Sequence, residues 1–354
     1  TLINRKYDNV DTNQNWLVEN TEKFCQEKAI YNAITQSLEI MNGKGKHTKG
    51  AIPSLLSDAL GISFDPNVGH DYLEQADDRF EYYHRQEERL PFDLDFFNKI
   101  TKNGVPRKTL NIILAGVGVG KSLTLCHFAS SYIKQGKNVL YISMELAEQE
   151  VAKRIDANVL NVSMDDLMLL SKDMYHDKVN KLKQKTDGKL IVKEYPTAAA
   201  STVHFRALLN ELNLKKNFVP DVIMIDYLNI CASARIKPGN GVNSYTYIKS
   251  IAEELRGLAV EYNVPVWSAT QLTRSGYGSS DPDLTDTSES FGLPATADFF
   301  VALVTNDQLE QLNQFSVKQL KNRYADPAKF KKDIIGVDKS KMRLYDVEQS
   351  AKDI

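Results

Sequence analysis

Residues 115–122 read AGVGVGKS. Glycines at alternate positions, Gly116, Gly118 and Gly120, let the backbone wrap so that successive N–H groups point inward, and the natural occupant of such a nest is phosphate. The cradle runs from Gly116 through Val117, Gly118, Val119 and Gly120 to Lys121, Ser122 and Leu123, and a helix starting near Lys121 adds its positive end to the same spot. In this pattern Lys121 reaches the outer phosphates of ATP, and the Ser122 hydroxyl completes the shell of a Mg²⁺ ion. Ala115 replaces the usual first glycine. It closes a strand, where a negative φ suffices.

Three further residues complete a hydrolytic set. Asp226 ends the apolar run DVIMIDYL (221–228), where a carboxylate holds Mg²⁺ through water; a buried Asp with no cation is costly. Glu145, in VLYISMEL, leaves a strand in the same way and suits a general base that orients or deprotonates the attacking water. Gln271 closes VPVWSATQL (264–272), and its amide is placed to sense a γ-phosphate on one side and a loop on the other. Plain structural alternatives stand beside these readings: an Asp that caps the following loop, and a Glu favoured by a helix dipole.

These side chains need a frame that brings strand ends together. From Thr109 onward short apolar runs alternate with helical patterns, with strands expected near 110–115, 138–143, 189–193, 221–226, 264–270, 298–304 and 316–322. Helices are expected near 121–134, 146–157, 202–214 and 244–262, the last with Ile248, Ile251, Ala252, Leu255, Leu258 and Ala259 on one stripe. Such alternation predicts an α/β fold with a mostly parallel sheet covered on both faces, and segments 333–337 and 342–347 read as a hairpin closing one edge. Ligands in such sheets gather outside the carboxyl ends of strands, so Lys121, Glu145 and Asp226 are expected to converge. Upstream, 23–41, 51–60 and 71–86 read as helices, the first stopped by Gly43 and Gly45.

Composition narrows the class. The 354 residues are 42% hydrophobic and 25% charged, enough for one large or two medium domains. No apolar run is long enough to span a bilayer, and TLINRKYDNV carries neither a signal-peptide core nor an initiating Met, so a soluble fragment is expected. Cys25, Cys126 and Cys231 lie far apart, which argues against a disulfide scaffold or zinc site and for a reducing compartment. His127, in an apolar helical run, is expected to pack in the core. With a net charge of −2, any contact with nucleic acid must be local.

The order AGVGVGKS, YISMEL, VIMIDYL, WSATQLTR resembles the RecA-like P-loop motor domain of the DnaB family of hexameric replicative DNA helicases. GVPRKTLNIILAGVGVGKS, GKNVLYISMELAEQEVAKRIDAN and LIVKEYPT resemble the branch found in T-even-type bacteriophages. The resemblance implies a helical N-terminal remnant and linker over 1–89, a motor domain over 90–347 and a tail over 348–354. It implies that Lys321 and Arg323, at the Lys-x-Arg spacing of VKQLKNRYADP, reach the γ-phosphate held by an adjacent subunit. The loops SARIKPGNGVNS (233–244) and TRSGYGSSDPD (273–283) offer Arg235, Lys237 and Gly239, and Arg274, Gly276 and Tyr277, among small residues. Such loops track phosphates without reading bases, and the family places its DNA-binding loops there. Equally, each reads as an ordinary flexible loop. The implied activity is ATP-driven 5′→3′ translocation on single-stranded DNA by a homo-hexamer or lower-order ring. Primase and a helicase loader are the implied partners, a host cytoplasm the implied location, and no membrane is involved. The rival from another class is a RecA-like filament or clamp, switched by ATP without processive unwinding.

Overall fold

The computed structural model describes residues 14–43, 49–63, 69–84, 88–237, 243–272 and 292–347. The chain divides into two compact units, Thr1–Gln86 and Glu87–Ile354.

In the first unit α1 (Gln14–Met41) packs on α2 (Ile52–Leu60), and Gln26 ties them by donating to the Ile62 carbonyl at 2.8 Å. Ala33, Ser37 and Ile40, one helical turn apart, are buried, whereas Phe24, Tyr31 and Leu38 are exposed. α1 ends where Gly43 adopts φ +72°, as its sequence predicts. The helix expected over 71–86 is shorter: α3 spans Ala76–His84. The Asp71 carboxylate accepts the N–H groups of Leu73 and Glu74, a local turn that competes with helix at this point.

The second unit opens with β1 (Arg89–Leu90), α4 (Asp95–Thr101) and β2 (Val105–Pro106), where β1 and β2 pair antiparallel. A Cβ on Gly104 would lie 2.4 Å from the Leu90 carbonyl oxygen, so only glycine fits this turn. Strands and helices then alternate: β3 (Leu110–Ala115), α5 (Lys121–Lys134), β4 (Val139–Ser143), α6 (Glu148–Val159), α7 (Met164–Leu167), α8 (Lys172–Lys183), β5 (Leu190–Glu194) and α9 (Thr202–Lys216). β6 (Val222–Asp226), α10 (Ser244–Glu261), β7 (Val266–Gln271), α11 (Gly292–Thr296), β8 (Phe299–Val304) and α12 (Asp307–Gln311) follow. The chain closes with β9 (Gln314–Asn322), β10 (Lys332–Asp338) and β11 (Arg343–Asp346).

These form one nine-stranded sheet in the order β11-β10-β9-β8-β3-β7-β6-β4-β5. From β8 to β5 every pairing is parallel; β9, β10 and β11 add antiparallel pairings, so the expected hairpin does close an edge. Side chains of β3 alternate between two cores. Ile113 joins Phe128, Trp267 and Phe299 under α5, while Ile112 and Leu114 join Ile251, Leu255 and Phe300 under α10. Every residue of the predicted α10 stripe is buried. His127 is a core residue, 1% exposed. Its Nδ1 accepts from Asn158 at 3.1 Å and from the Leu344 N–H at 3.3 Å. Among the described residues no helix is long and apolar enough to cross a membrane.

Trp267 is fully buried, with edge-on contacts to Phe92 and Phe299 and a tilted contact to Phe128. Trp267→Ala should therefore cost the second unit about 3–5 kcal/mol, read as a fall in its urea midpoint at constant m-value. A loss under about 1 kcal/mol would mean this layer is not the packing centre described.

Candidate active site

The carboxyl ends of β3, β4, β6 and β7 lie side by side, since Ala115 pairs with Gln271 and Ser143 with Asp226. β3 hands over to α5 through the glycine turn. Gly118 and Gly120 adopt φ +77° and +132°; Ala115 has no positive φ, so its methyl is accommodated within the strand. The nearest atom to a Cβ on Gly120 would be Phe315 at 3.7 Å, so backbone angle rather than space demands glycine there. Val117 is exposed at the crest of the turn, and Leu123 is buried beneath it.

Lys121, buried in the first turn of α5, donates to the carbonyl of Gly116 at 3.1 Å and approaches that of Ala115 at 3.5 Å. Burial lowers its proton affinity, and the charges of Glu145 and Asp226 oppose that shift, which places both carboxylates within electrostatic reach of the ammonium. Asp226 is fully buried. Burial raises its carboxyl above the ordinary aspartate range, against hydrogen bonding from Tyr141, the proximity of Ser122 and the charge of Arg154, while Glu145 pushes the same way as burial. Tyr141 donates to Oδ2 at 2.9 Å. Oδ1 has no hydrogen-bond partner among the described residues, an expensive state for a buried carboxylate unless something positive or protic meets it. The Ser122 side chain is close enough to Asp226 to lower its pKa. That orphan oxygen and hydroxyl fit a hydrated divalent cation. Among the described residues no three His, Cys, Asp or Glu side chains could hold a metal on their own, so such a cation needs phosphate or water ligands as well.

Glu145 is exposed just beyond β4. Its loop is pinned on both sides: Ser143 Oγ accepts from the Leu146 N–H at 3.0 Å, and Met144 N–H donates to the Asp226 carbonyl at 2.9 Å. Gln271 donates to the Tyr227 hydroxyl at 3.2 Å, and burial followed by the charges of Glu145 and Asp226 raises that phenol's pKa. Lys121, Ser122, Asp226, Glu145 and Gln271 thus share one crevice. The partners Tyr141, Tyr227 and Arg154 were not singled out in the sequence. The polar tip of Tyr141 between the apolar Leu140 and Ile142 is the signal that points to it.

Lys321 and Arg323 lie elsewhere. β9 runs antiparallel to β8, with Phe300 opposite Lys321, and β8 pairs in register with β3, so both cations sit at the amino ends of the parallel strands. Lys321 lies level with Ile112, three strand residues or about 10 Å from Ala115 at 3.3 Å per residue, and Arg323, whose N–H meets the Asp298 carbonyl beside Leu110, lies five residues or about 17 Å from it, distances longer than either side chain spans. Arg323 donates to the buried Asp298 at 2.7 Å, and Lys321 donates to the carbonyls of Pro294 and Ala295 at 2.7 and 2.8 Å. Burial, then the neighbouring Arg323, lowers the Lys321 pKa.

Of the loop residues, Arg235 is folded onto α10, donating to Glu253 at 2.7 Å and to the Ser250 carbonyl at 3.0 Å, and Lys237 is exposed. Gly239, Arg274, Gly276 and Tyr277 lie outside the described residues. The base of the first loop hangs on Glu254, unnoticed in the sequence because it reads as one more charge on a helix. It accepts from Ser233 Oγ at 2.5 Å, Ala234 N–H at 2.9 Å and Thr202 Oγ1 at 3.1 Å.

Residues 90–340 match the family model of the DnaB-like helicase C terminal domain. The DnaB-like replicative helicase of Enterobacteria phage T4 is 46% identical over 99% of this chain and 76% of its own length. The replicative DNA helicase DnaB of Geobacillus stearothermophilus is 24% identical over 82% of this chain and 66% of its own, and the chain spans about half of some other relatives, 43% and 49% of two. Among solved structures, a DnaB-like replicative helicase studied for its interactions with primase superposes with a TM-score of 0.65 at 18% identity, covering 93% of this chain and 78% of its own. A second solved structure, an ATPase domain, does so at 0.63 and 18%, covering 79% and 100%. At that identity the two structures speak for the fold.

Burial works to raise the Glu254 pKa, yet hydrogen bonds from Ser233, Ala234, Thr202 and Arg235 hold it below the ordinary glutamate range. The stability it contributes is therefore complete above about pH 4.3 and is lost as pH falls through the lower folded value. Glu254→Gln should lower stability at neutral pH by about 1–3 kcal/mol and flatten that acid limb in urea titrations. A variant whose stability falls in parallel with the parent on acidification would contradict this role.

Proposed function

This chain belongs to the DnaB-like helicase family, and we propose that it is a ring-forming replicative DNA helicase whose ATP sites are each completed by a neighbouring copy. The observation that carries the reading is the division of one sheet: Lys121, Ser122, Asp226 and Glu145 gather at the carboxyl ends of its parallel strands, and Lys321 with Arg323 at the amino ends. A chain built this way cannot bring its own arginine to its own triphosphate without unpicking the sheet. A ring of copies facing the same way around can present the cation end of one sheet to the crevice of the next.

In this reading residues 90–347 are the motor and residues 1–89 the helical remnant and linker. The inward N–H groups of Gly116–Leu123 hold the β- and γ-phosphates of ATP, and Lys121 exchanges the Gly116 carbonyl for phosphate oxygen. Ser122 and Asp226 Oδ1 are the groups that would hold Mg²⁺, which when bound neutralises charge on the phosphate oxygens. Glu145 orients the water that attacks the γ-phosphorus and takes its proton; Gln271 reads the γ-position and, through Tyr227, the Glu145 side of the crevice. Arg323 and Lys321 from the adjacent subunit stabilise the charge that spreads over the transferred oxygens. Hydrolysis loosens that interface, and the loops around 233–244 and 273–283 step 5′→3′ along one DNA strand. Their modest basicity suits a motor that releases each phosphate it grips while several subunits share the load. Primase and a helicase loader are the partners this role entails, in the cytoplasm of a host cell.

The test is a pair of substitutions with binding and turnover measured separately. Lys121→Ala should lose ATP binding and hydrolysis together. Arg323→Ala should bind ATP nearly normally yet hydrolyse it about 10³-fold or more slowly. Parental hydrolysis should rise with single-stranded but not duplex DNA, and the rise should fade with added salt. Near-normal turnover in Arg323→Ala, or indifference to single-stranded DNA, would overturn the reading.

A further inference from the structure

Arg323 is not idle in this chain: it donates to Oδ1 of Asp298, a carboxylate only 5% exposed, at 2.7 Å. A cation so engaged acts on another subunit only if it can let go, and stripping the sole counter-charge from a buried carboxylate is strongly unfavourable. Asp298 has a second cation. Arg256, one face of α10 away, donates its Nε to both carboxylate oxygens, at 3.3 and 3.1 Å, and its Nη2 to Oδ1 at 3.2 Å. The Leu110 N–H donates to Oδ2 at 3.0 Å, which fixes the carboxylate against the start of β3. Arg256 and Arg323 are each partly open to solvent, 38% and 48% exposed, and line one groove with Glu253, Val260 and Glu261.

We propose that Arg256 is a positioning residue for the trans cation: by holding Asp298 compensated on its own, it makes Arg323 releasable. When a neighbour's triphosphate arrives, Arg323 exchanges one anion for another and Arg256 stays behind with Asp298. The backbone does not move with it, because the Arg323 N–H remains bonded to the Asp298 carbonyl at 3.0 Å and the Asp298 N–H to the Leu110 carbonyl at 2.8 Å. The swing is confined to the side chain. Lys321 differs: its acceptors are the neutral carbonyls of Pro294 and Ala295, so it can leave without uncovering a charge. The inference rests on the reading of Arg323 as the cation given to an adjacent subunit.

The experiment is steady-state hydrolysis by the full chain on single-stranded DNA, with ATP affinity measured in parallel, for Arg256→Leu, Asp298→Asn, their combination, and Arg323→Ala as reference. Arg256→Leu leaves Arg323 as the one cation on Asp298 and should lower kcat by about tenfold with little change in ATP affinity, the scale of coupling between contacting charged groups. Adding Asp298→Asn removes the anion that traps Arg323 and should recover most of that loss. Arg256→Lys, which restores one charge without the fork, should recover part of it. A purely structural Arg256 predicts the opposite sign, the double variant being worse than either single. Loss in Arg323→Ala with no loss in Arg256→Leu, or no recovery in the double variant, would overturn the inference while leaving the trans reading intact. Normal turnover in Arg323→Ala would remove both.

Discussion

A parallel strand has one carboxyl end, and six parallel-paired strands put all of theirs on the same side. That constraint organises the second unit. The groups proposed to receive phosphate lie just past β3 and β4 and at the last residues of β6 and β7, where the chain leaves the sheet and exposes backbone N–H and carboxylate together. β9, the first antiparallel strand, runs the other way, and its far end delivers Lys321 and Arg323 to the opposite side. In the reading proposed above, the reversal at β8–β9 therefore puts the two halves of the chemistry at opposite ends of one chain's sheet.

Both ends solve the same electrostatic problem differently. In the crevice, Asp226 is buried with one oxygen satisfied by Tyr141 and the other without a partner among the described residues, and Lys121 rests on backbone carbonyls rather than on a carboxylate. Each is held short of full compensation, which leaves room for a charged ligand to complete it. At the other end Asp298 is over-compensated, with Arg256 and Arg323 on one carboxylate and Lys321 close by. A crevice with an unmet carboxylate oxygen and a cation-rich edge are complementary in charge, which in the proposed ring suits association of copies head to tail over a symmetric pairing of like ends.

Much of this was legible in the residues. Glycine spacing located the phosphate turn, the apolar runs located the strands, and the α10 stripe located a buried helix, because backbone freedom and burial leave periodic marks in a sequence. α8 left a fainter mark: in KDMYHDKVNKLK only Tyr175, Val179 and Leu182 repeat at helical spacing, all of them half-buried, and the helix is held as well by the Ser171 cap, accepting from the Met174 N–H, and by the Tyr175 hydroxyl, donating to Asp156 at 2.9 Å. Tyr141, Arg256, Glu254 and Asp298 were invisible for a related reason. Each acts through a partner 20 or more residues away, as in Ala234 to Glu254 and Tyr141 to Asp226, and a pairing of that kind is set by how strands, helices and loops pack in three dimensions rather than by local pattern. Lys321 and Arg323 came from family resemblance, and only the register of β8 and β9 explains why they could not have been assigned to their own chain's crevice.

The central claim is that the triphosphate and the cation that acts on it belong to different copies. Its most direct measurement mixes two inactive variants, Glu145→Gln, which keeps Arg323, and Arg323→Ala, which keeps Glu145, and follows ATP turnover against their ratio. Mixed rings contain interfaces where an intact Glu145 faces an intact Arg323, so turnover should rise above both parents and peak near equal proportions. A flat response at every ratio, in mixtures shown by mass to have exchanged subunits, would place the cation within its own chain and contradict the account.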